Sequence, residues 1–510
     1  MKIAPAALLV SVIALGMAGH VDAAGSSCDS LLTLALENAT VTSAELVAAG
    51  GFRTPGGGAN AQNVARFAEL PAFCRVAATL KPSADSNIKI EIWLPASAWN
   101  GKLEAVGNGG WAGTISYPAM AQALARGYAT TSTDTGHSTP GGSFALGHPE
   151  KLLDYAYRSE HEMTVKAKAV VNAFYGSAPA RSYFNGCSTG GRQALTEAAR
   201  FPDDFDGIIA GAAANPKTHL DTWRIWMGLQ TLKDPETRIP KEKYPAIHQA
   251  VLAACDALDG LKDGLLSDPT SCHFDPQVMA CKQGDDASCL TAKQVQSVKT
   301  ILGPAKSPTT DEVIFPGYQP GTELAWGLLI GGPDPYETAL DQFRYMVFDD
   351  PKWDWRTFDV DRDLAKADQK LKGLLTAIDP KTMTAFFKRG GKLLTYQGWS
   401  DQDISPLASV NFYKAVNSAL GEPTVSSSMR LFMVPGMGHC GGGEGPNTFD
   451  MMMPLEQWVE KGQMPTRVDA SHSTNGKIDR TRPLCPYPQV ARYTGSGSID
   501  AAENFVCRLP

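Results

Sequence analysis

Several features that mark other classes of protein are scarce or missing in this sequence. Beyond the N-terminus, no segment of the 510 residues is apolar and uninterrupted for long enough to cross a bilayer as a helix. Acidic residues outnumber basic ones by 53 to 46, and the resulting net charge of -7 argues against nucleic acid as a partner. No two cysteines are spaced as CxxC and no Cys/His cluster has zinc spacing, so a structural zinc site is not expected.

The overall composition is that of an ordinary soluble globular protein. Hydrophobic residues make up 43% of the chain and charged residues 19%, which does not fit a disordered protein. The length is sufficient for a large core and allows roughly two to four domains. The chain contains no internal repeat.

The N-terminus has the pattern of a secretory signal. Lys2 precedes a short apolar run at 6–18, and a small-x-small triplet ends at Ala23. We therefore expect cleavage near Ala23 or Ala24, so that residues 1–24 are a signal peptide and the mature protein is secreted or periplasmic and free of the membrane. The alternative is a short membrane anchor, but the run is too short to span a bilayer. Ten cysteines, an even number, favour disulfides in an exported chain.

A serine in a GxSxG frame is the strongest local motif of the chain. Gly186 and Gly190 flank Ser188, residues 181–184 before them have a strand pattern, and apolar positions in 192–201 have helical spacing. A sharp turn from strand to helix crowds the backbone, which glycine relieves, and it exposes the serine hydroxyl at the start of the helix. This is the pattern of a nucleophile elbow. The five letters alone are common, so a plain glycine-rich turn is the alternative at this point.

Strands and helices alternate around this turn. Strands are predicted at 74–80, 88–94, 102–106, 128–132, 181–184, 205–211, 392–396 and 429–434. The first two are typical of an antiparallel sheet edge, and alternation with helices implies a mainly parallel sheet covered on both faces. Between 216 and 369 the alternation is lost. We interpret this segment as a lid domain inserted into a catalytic domain of residues 25–215 and 370–510, with a loop-rich tail after the last predicted helix.

Candidates for the base and the acid that would serve Ser188 occur late in the chain. Asp401 and His439 each follow a predicted strand, so their loops open at the same sheet edge as the elbow. The order serine, acid, histidine is that of the α/β-hydrolase fold, in which the acid orients the base. Asp403 competes with Asp401 for the role of the acid. Asp401 is favoured because it follows its strand sooner, within a Gly-x-x-Asp turn.

Two backbone N–H groups are candidates for binding the oxyanion of a tetrahedral intermediate. The first belongs to Thr189, at the start of the predicted helix after Ser188. The second is expected from the glycine-rich loop 107–113, which follows a strand upstream of the elbow, at Gly110 or Gly109. A glycine-rich hairpin is the alternative for this loop.

The nucleophile and the base each have a cysteine as chain neighbour. Cys187 precedes Ser188 and Cys440 follows His439, so these two cysteines are neighbours if the serine and the histidine meet. We predict a disulfide between them that ties the nucleophile to its base. The alternative is a pair of buried free thiols.

These motifs resemble those of the tannase and feruloyl esterase family, which combines Gly-Cys-Ser-Thr-Gly-Gly, a late Gly-x-x-Asp and a His-Cys pair. The resemblance covers most of the chain after the signal. It implies an α/β-hydrolase fold with a large inserted lid, and activity on esters of aromatic acids such as feruloyl, hydroxycinnamoyl or galloyl esters. Bacterial mono(2-hydroxyethyl) terephthalate hydrolases belong to the same family, so that activity is the alternative. The implied disulfides are Cys28 with Cys74, Cys187 with Cys440, Cys255 with Cys272, Cys281 with Cys289, and Cys485 with Cys507.

An acidic loop at 255–265 is a candidate calcium site. Three carboxylates interleaved with glycines can surround a hard cation, although the spacing is not that of an EF-hand and a solvated acidic turn is the alternative. The family resemblance implies a structural calcium here. Its ligands would be the side chains of Asp256, Asp259 and Asp263 and the carbonyl groups of Leu261 and Leu265.

The resulting hypothesis is a serine esterase with a small aromatic ester as its substrate. Aromatic lid residues are available for an acyl pocket, although packing inside the lid is the more frequent role for each: Trp326, Phe343, Tyr345, Phe348, Trp353 and Trp355. A calcium-dependent binding protein without turnover is the alternative from another class, and it predicts an incomplete triad. A peptidase of the same fold is a further alternative.

Overall fold

The computed structural model describes Met1 and residues 27–57 and 60–510. The predicted signal peptide therefore lies outside the described residues, except for Met1. All eight predicted strands are present in the described ranges. The strands are β1 (Ala39–Val47), β2 (Phe73–Leu80), β3 (Ile88–Pro95), β4 (Lys102–Val106), β5 (Ala129–Thr133), β6 (Arg181–Cys187), β7 (Gly207–Gly211), β8 (Ala305–Lys306), β9 (Val313–Phe315), β10 (Lys392–Gly398), β11 (Met429–Val434), β12 (Thr448–Phe449), β13 (Val468–Thr474), β14 (Lys477–Leu484), β15 (Val490–Tyr493) and β16 (Phe505–Arg508).

Helices fill much of the remaining chain, with short 3-10 turns and two π-helical segments at Asp154–Arg158 and Gln342–Val347. Among the described residues, no helix combines the length and the apolar character needed to cross a membrane. The α-helices are α1 (Ala61–Ala68), α2 (Tyr117–Ala125), α3 (Pro149–Leu153), α4 (Ser159–Tyr175), α5 (Thr189–Arg200), α6 (Lys217–Thr231), α7 (Tyr244–Cys255), α8 (Ala292–Leu302), α9 (Gly327–Ile330), α10 (Glu337–Asp341), α11 (Val360–Lys370), α12 (Met383–Lys388), α13 (Pro406–Leu420), α14 (Glu422–Ser428) and α15 (Met452–Lys461).

A nine-stranded sheet forms the centre of the molecule, with the order β1-β2-β3-β5-β4-β6-β7-β10-β11. The strands from β5 to β11 in this order are parallel to one another, whereas β1, β2 and β3 form an antiparallel edge, of which the sequence predicted β2 and β3. Every residue of β7 is buried, as expected for a strand covered on both faces. The result is the mainly parallel α/β architecture expected from the sequence.

Helices cover the two faces of the sheet and separate its core into two layers. The helices α4 and α5 pack on one face, where Met163 and Leu195 meet Ile208 of β7. The helices α2 and α15 pack on the other face, where Leu455 meets Ile209. Because consecutive residues of a strand point to opposite faces, the Ile208-Ile209 pair serves both layers.

The segment between β7 and β10 is largely helical and includes α6 to α11 and the small β8–β9 hairpin. Three of its tryptophans, Trp223, Trp326 and Trp355, are buried in one apolar cluster. That cluster also contains Trp111 and Tyr155 of the preceding part of the chain, so the insertion shares a core with the sheet domain. The insertion is therefore packed firmly against the carboxyl edge of the sheet.

The C-terminal tail differs from the expectation. It contains β13 and β14, which form a three-stranded sheet with β12 from before α15, and a hairpin of β15 and β16, so the prediction of a loop-rich tail is wrong. The polar, exposed faces of β13 and β14 conceal the strand pattern. The turn between them is Asn475-Gly476 with φ values of 51° and 77°, a two-residue hairpin turn that the sequence does signal.

All ten cysteines form disulfides, with the pairing that the family resemblance implies. The alternative of free thiols at Cys187 and Cys440 is therefore wrong. The pairs are Cys28–Cys74, Cys187–Cys440, Cys255–Cys272, Cys281–Cys289 and Cys485–Cys507.

Candidate active site

Ser188 lies at the turn between β6 and α5. Its backbone has φ of 65° and ψ of -121°, a conformation that L-residues rarely adopt, so the turn is strained. The flanking glycines allow the close approach of the two arms. A Cβ on Gly186 would lie 2.5 Å from the carbonyl oxygen of Gly190, and one on Gly190 would lie 3.0 Å from that of Asn108. The GxSxG spacing thus has a steric cause in the elbow that the sequence predicted.

The glycine-rich loop after β4 is held against this elbow. The carbonyl oxygen of Gly110 accepts hydrogen bonds from the Thr189 hydroxyl at 2.6 Å and from the Tyr155 hydroxyl at 3.1 Å. Thr189 is the first residue of α5, where a helix leaves its N–H groups without intrahelical partners. The backbone N–H groups of Thr189, Gly109 and Gly110 donate to no other described residue. All three residues are therefore available to bind a negatively charged oxygen near Ser188.

His439 is oriented by Asp401. The Nδ1 atom of His439 lies 2.8 Å from Oδ2 of Asp401, whose side chain is fully buried. The other carboxylate oxygen accepts the N–H groups of Asp403 and Ile404, each at 2.8 Å, and Gln397 donates to Oδ2 at 2.7 Å. Four donors thus fix the carboxylate. A proton held at Nδ1 leaves the Nε2 lone pair of His439 free to act as a base.

The Cys187–Cys440 disulfide joins the end of β6 to the loop that follows β11. Its two cysteines are the chain neighbours of Ser188 and His439, and all four residues line one cleft of about 340 Å³. The complete lining is Gly109, Gly110, Cys187, Ser188, Thr189, Ala214, Lys217, Arg224, Tyr336, Thr338, Asp403, His439 and Cys440.

Comparison with known proteins identifies the family. A family model described as "Tannase and feruloyl esterase" matches residues 74–508. The chain belongs to the tannase and feruloyl esterase family.

Similar proteins agree with this assignment. An uncharacterized esterase of Xanthomonas campestris is 37% identical, over 98% of this chain and 94% of that protein. The protein named "Probable feruloyl esterase B-2" of Aspergillus terreus is 32% identical over 99% of both chains. The crystal structure of feruloyl esterase B from Aspergillus oryzae superimposes with a TM-score of 0.88 and 31% identity, covering 94% of this chain and 99% of that one. The protein is thus a carboxylic ester hydrolase with an α/β-hydrolase fold.

The insertion supplies different residues to the cleft of this esterase than the sequence suggested. The expected aromatic residues from Trp326 to Trp355 do not line the cleft, and the only aromatic ring among its described lining residues besides the His439 imidazole belongs to Tyr336. Trp326, Phe343 and Trp355 pack inside the core of the insertion. Packing inside the insertion, the more frequent role expected for each of these residues, is thus confirmed for these three, and the cleft has Tyr336 in place of the expected aromatic lining.

Sequence reasoning missed the charged residues that α6 brings to the cleft. Lys217 and Arg224 line it and both pair with the fully buried Asp221, at 2.7 and 2.8 Å. Arg224 also donates to the Thr338 hydroxyl at 2.9 Å and forms an ion pair with Asp403. Asp221 lies in the same helix as both residues, but Thr338 and Asp403 lie far away in the chain, so no local motif marks the place of Arg224 in the cleft.

Asp403 lies on the opposite side of the imidazole from Asp401. Its Oδ2 is 3.4 Å from Nε2 of His439, and its other carboxylate oxygen pairs with Arg224. The structure thus places both candidate acids at the same histidine. Only Asp401 contacts Nδ1, the atom that an orienting carboxylate must hold.

The electrostatic surroundings of His439 favour its protonated form. Burial lowers the pKa of His439, and the positive charge of Arg224 lowers it further. The charge and hydrogen bond of Asp401, together with the charge of Asp403, raise the pKa by more than these two effects lower it. The net result is a pKa above the usual value for histidine.

The predicted calcium loop is closely folded on itself. The Oδ1 atom of Asp256 accepts the Gly264 N–H at 3.1 Å, and that of Asp259 accepts the Leu261 N–H at 3.0 Å. Burial, with the charges of Asp263 and Asp256, raises the pKa of Asp259.

Two carbonyl groups in this loop lack partners. The carbonyl oxygens of Leu261 and of the buried Leu265 accept no hydrogen bond from any described residue. Carboxylate and carbonyl oxygens are the donor types that calcium prefers, but the three carboxylates do not all lie within 4.8 Å of one another, and that of Asp263 pairs with Arg482.

Arginines of the tail tie this loop to the sheet domain. Arg482 of β14 pairs with the Asp263 carboxylate at 2.7 Å, and Arg480 donates to the Asp263 carbonyl oxygen at 3.0 Å. In the described part of the chain, the one cluster whose ligand-type atoms lie within 4.8 Å of one another is Cys281, Asp285 and Cys289. Its two sulfurs are bonded to each other, so that cluster is not a metal site.

Proposed function

We propose that this esterase hydrolyses esters of aromatic acids, of the feruloyl, hydroxycinnamoyl or galloyl type, through a covalent acyl-enzyme. Ser188 is the nucleophile, His439 the general base and acid, and Asp401 the carboxylate that orients the base. The names of the related proteins support the aromatic acyl group, and the geometry around His439 supports the mechanism. The inserted segment acts as the lid that closes over the substrate.

The first half of the reaction transfers the acyl group to Ser188. His439 Nε2 takes the hydroxyl proton while Oγ attacks the ester carbonyl carbon, and the backbone N–H groups of Thr189 and Gly110 stabilise the oxyanion. Collapse of the tetrahedral intermediate breaks the bond to the alcohol. The same Nε2 gives its proton to the leaving oxygen.

The second half repeats these steps with water. His439 takes a proton from the water, the resulting hydroxide attacks the acyl-enzyme, and the aromatic acid leaves as Ser188 recovers its proton. Asp401 stabilises the imidazolium that forms twice in each turnover.

One observation carries this proposal: the histidine whose Nδ1 is held by a buried carboxylate at 2.8 Å shares a cleft with the serine of the elbow. A binding protein without turnover has no need of this arrangement. The same cleft contains N–H donors for an oxyanion, which a peptidase and an esterase share, and the family assignment favours the esterase.

The direct test is Ser188→Ala assayed with methyl ferulate, methyl gallate and mono(2-hydroxyethyl) terephthalate. We expect turnover of at least one aromatic ester by the wild type and only trace activity in the variant. Covalent labelling of Ser188 by a serine-directed phosphonate is the matching structural readout. Retention of wild-type rates by Ser188→Ala would remove the proposed mechanism, and the ranking of kcat/KM across the three esters assigns the acyl preference.

The acidic loop is proposed to hold a structural calcium through Asp256, Asp259, Asp263 and the carbonyl groups of Leu261 and Leu265. The ion would neutralise the carboxylates and hold the loop between the insertion and the tail. It takes no part in the chemistry at Ser188.

Export from the cytoplasm is part of the proposal. Five disulfides are typical of an oxidising compartment, and the N-terminal pattern is that of a cleaved signal. N-terminal sequencing of the mature protein should therefore begin near Ala24 or Gly25.

A further inference from the structure

Asp403 places an acceptor at the position where the alcohol part of a substrate must lie. Its Oδ2 is 3.4 Å from Nε2 of His439. In the proposed mechanism this nitrogen protonates the leaving oxygen of the ester, so the leaving oxygen must approach it closely. Groups that surround Nε2 therefore surround the first atoms of the alcohol, not the distal part of the acyl group.

The carboxylate of Asp403 is held in place through one of its two oxygens. Arg224 donates to its Oδ1 and, at 3.1 Å, to its backbone carbonyl oxygen. Arg224 is itself held by Asp221 at 2.8 Å and by Thr338 at 2.9 Å, and its side chain is only 4% exposed. The side chain of Asp403 therefore cannot turn away from the cleft without breaking a buried ion pair.

The second oxygen, Oδ2, accepts no hydrogen bond from the residues that the structure describes, apart from its contact with Nε2. When a substrate occupies the cleft, Nε2 hydrogen-bonds to the Ser188 hydroxyl and then to the leaving oxygen, while Asp401 keeps the ring in place. Oδ2 then receives no hydrogen bond from His439. A carboxylate oxygen that loses water and gains no hydrogen bond raises the free energy of the complex. A donor on the substrate that hydrogen-bonds to Oδ2 would therefore stabilise the complex.

We propose that Asp403 is a specificity residue that accepts a hydrogen bond from a hydroxyl group on the carbon next to the ester-bearing carbon of the alcohol. The class of substrate is then the monoesters of vicinal diols and polyols, such as glycol, glycerol or sugar esters of aromatic acids. This inference rests on the proposed function and extends it from the acyl part to the alcohol part.

The two cations of the cleft wall do not offer an equally good alternative. Lys217 and Arg224 both pair with Asp221, and Arg224 also pairs with Asp403, so a substrate carboxylate would have to compete with these buried partners. Asp403 is the carboxylate residue in the described lining of the cleft, and its Oδ2 has capacity to accept a new hydrogen bond. The chemistry therefore favours a neutral donor on the alcohol.

The test uses esters with a common acyl group. The 2-hydroxyethyl and 2-methoxyethyl esters of ferulic acid form the same acyl-enzyme, so deacylation is identical and kcat/KM compares acylation alone. Both alcohols are neutral and of similar length, but only the first can donate a hydrogen bond. We expect the wild type to prefer the hydroxyethyl ester by roughly tenfold or more, as for hydrogen bonds to charged groups.

The matched variant is Asp403→Asn, which keeps the size of the side chain and an acceptor for Arg224. It should bring the ratio of the two esters close to one. A general change in the basicity of His439 alters both rates equally and leaves the ratio unchanged. Phosphonate labelling of Ser188 and a thermal melt show that the variant is folded.

The outcomes are distinct. A wild-type ratio near one overturns the inference without any variant, and so does an Asp403→Asn protein with the wild-type ratio. Absence of turnover of both esters and of methyl ferulate removes the proposed function itself. A preference that disappears only in Asp403→Asn, and not in the exposed control Asp311→Asn, supports the assignment.

Discussion

The sulfur atoms of Cys187 and Cys440 are bonded to each other, although 253 residues separate them in the chain. Each is the chain neighbour of a residue that lines the catalytic cleft. The bond therefore connects the elbow that presents Ser188 to the loop that presents His439, and it closes across strands that lie at different positions in the sheet. Its removal is expected to affect both stability and catalysis.

The double substitution of Cys187 and Cys440 by serine tests this connection. Loss of a cross-link over a loop of 253 residues is expected to lower the free energy of unfolding by up to roughly 5 kcal/mol in the chain-entropy model. The kcat should fall as well, because the His439 loop is no longer tied to the elbow. Urea unfolding and assays with methyl ferulate measure the two effects.

The control for this experiment is the double substitution of Cys281 and Cys289 by serine. The disulfide between these two cysteines closes a loop with a separation of only 8 residues. This double substitution should cost roughly 2 kcal/mol and leave kcat unchanged. Equal losses of kcat in both double variants would contradict a specific role for the Cys187–Cys440 bond.

The choice between the two acids can be decided by single substitutions. Asp401→Asn should lower kcat roughly 10⁴-fold, because an amide no longer fixes the tautomer of His439 or stabilises its charge. Asp403→Asn should lower kcat for methyl ferulate far less, since it contacts the other ring nitrogen. A larger loss in Asp403→Asn than in Asp401→Asn would reverse the assignment of the acid.

The pH dependence of kcat/KM should report the surroundings of His439. The free base is required, so activity falls as the pH drops through the pKa of this residue, and that pKa lies above the usual value for histidine. The facing charges are the negative Asp401 and Asp403 and the positive Arg224. Asp403→Asn removes one negative charge, which lowers the pKa of His439 and moves the acid limb to lower pH. An acid limb that moves to higher pH in Asp403→Asn would contradict the expected direction of this pKa shift.

A buried carboxyl group predicts a loss of stability at rising pH. Burial raises the pKa of Glu160 from 4.5 to about 7, although Ser159 donates to it at 2.6 Å. The folded state therefore keeps a proton that the unfolded chain releases. The contribution of Glu160 to stability is fully present below pH 4.5 and is lost as the pH rises through about 7. The loss amounts to about 3 kcal/mol.

Glu160→Gln mimics the protonated form and should remove this part of the pH dependence. The difference between the free energies of unfolding at pH 5 and pH 8, from urea titrations, should shrink by about 2.5 kcal/mol. The control is Glu162→Gln on the same helix, which pairs with Lys166 near the surface and should retain the wild-type pH dependence. An identical pH dependence in wild type and Glu160→Gln would exclude this role for Glu160.

Removal of calcium should destabilise the acidic loop. Chelation by EDTA is expected to lower the Tm of the wild type, and added calcium should restore it, because binding to the folded state alone stabilises it. Asp259→Asn should abolish the response. Asp285→Asn, in the unrelated acidic loop between Cys281 and Cys289, should keep it. A wild-type Tm that is indifferent to both chelator and calcium would contradict the site.

Eight of the nine strands of the central sheet, all but β1, could be predicted from the sequence, because most of them are short runs of apolar or β-branched residues bounded by glycine or polar turns. The elbow around Ser188 was recognisable for a local reason: a tight turn demands glycine at fixed positions. The loops of Asp401 and His439 followed from the rule that parallel strands bring their carboxyl ends to one edge. The strands β13 and β14 were not predicted, because their outward faces are polar. The Asn475-Gly476 turn between them is nevertheless typical of a hairpin.

The composition of the cleft was decided by the tertiary structure alone. Helix α6 places Arg224 beside Asp403, 179 residues away in the chain, and no local spacing marks such a pair. The large aromatic rings of the insertion, such as Trp326, are buried in its own core, because burial of apolar area stabilises the fold more than exposure at a wet surface does. The sequence by itself thus determined the chemistry of the site, since motifs report local backbone geometry. The charges that surround that chemistry depended on long-range packing, which only the folded structure specifies.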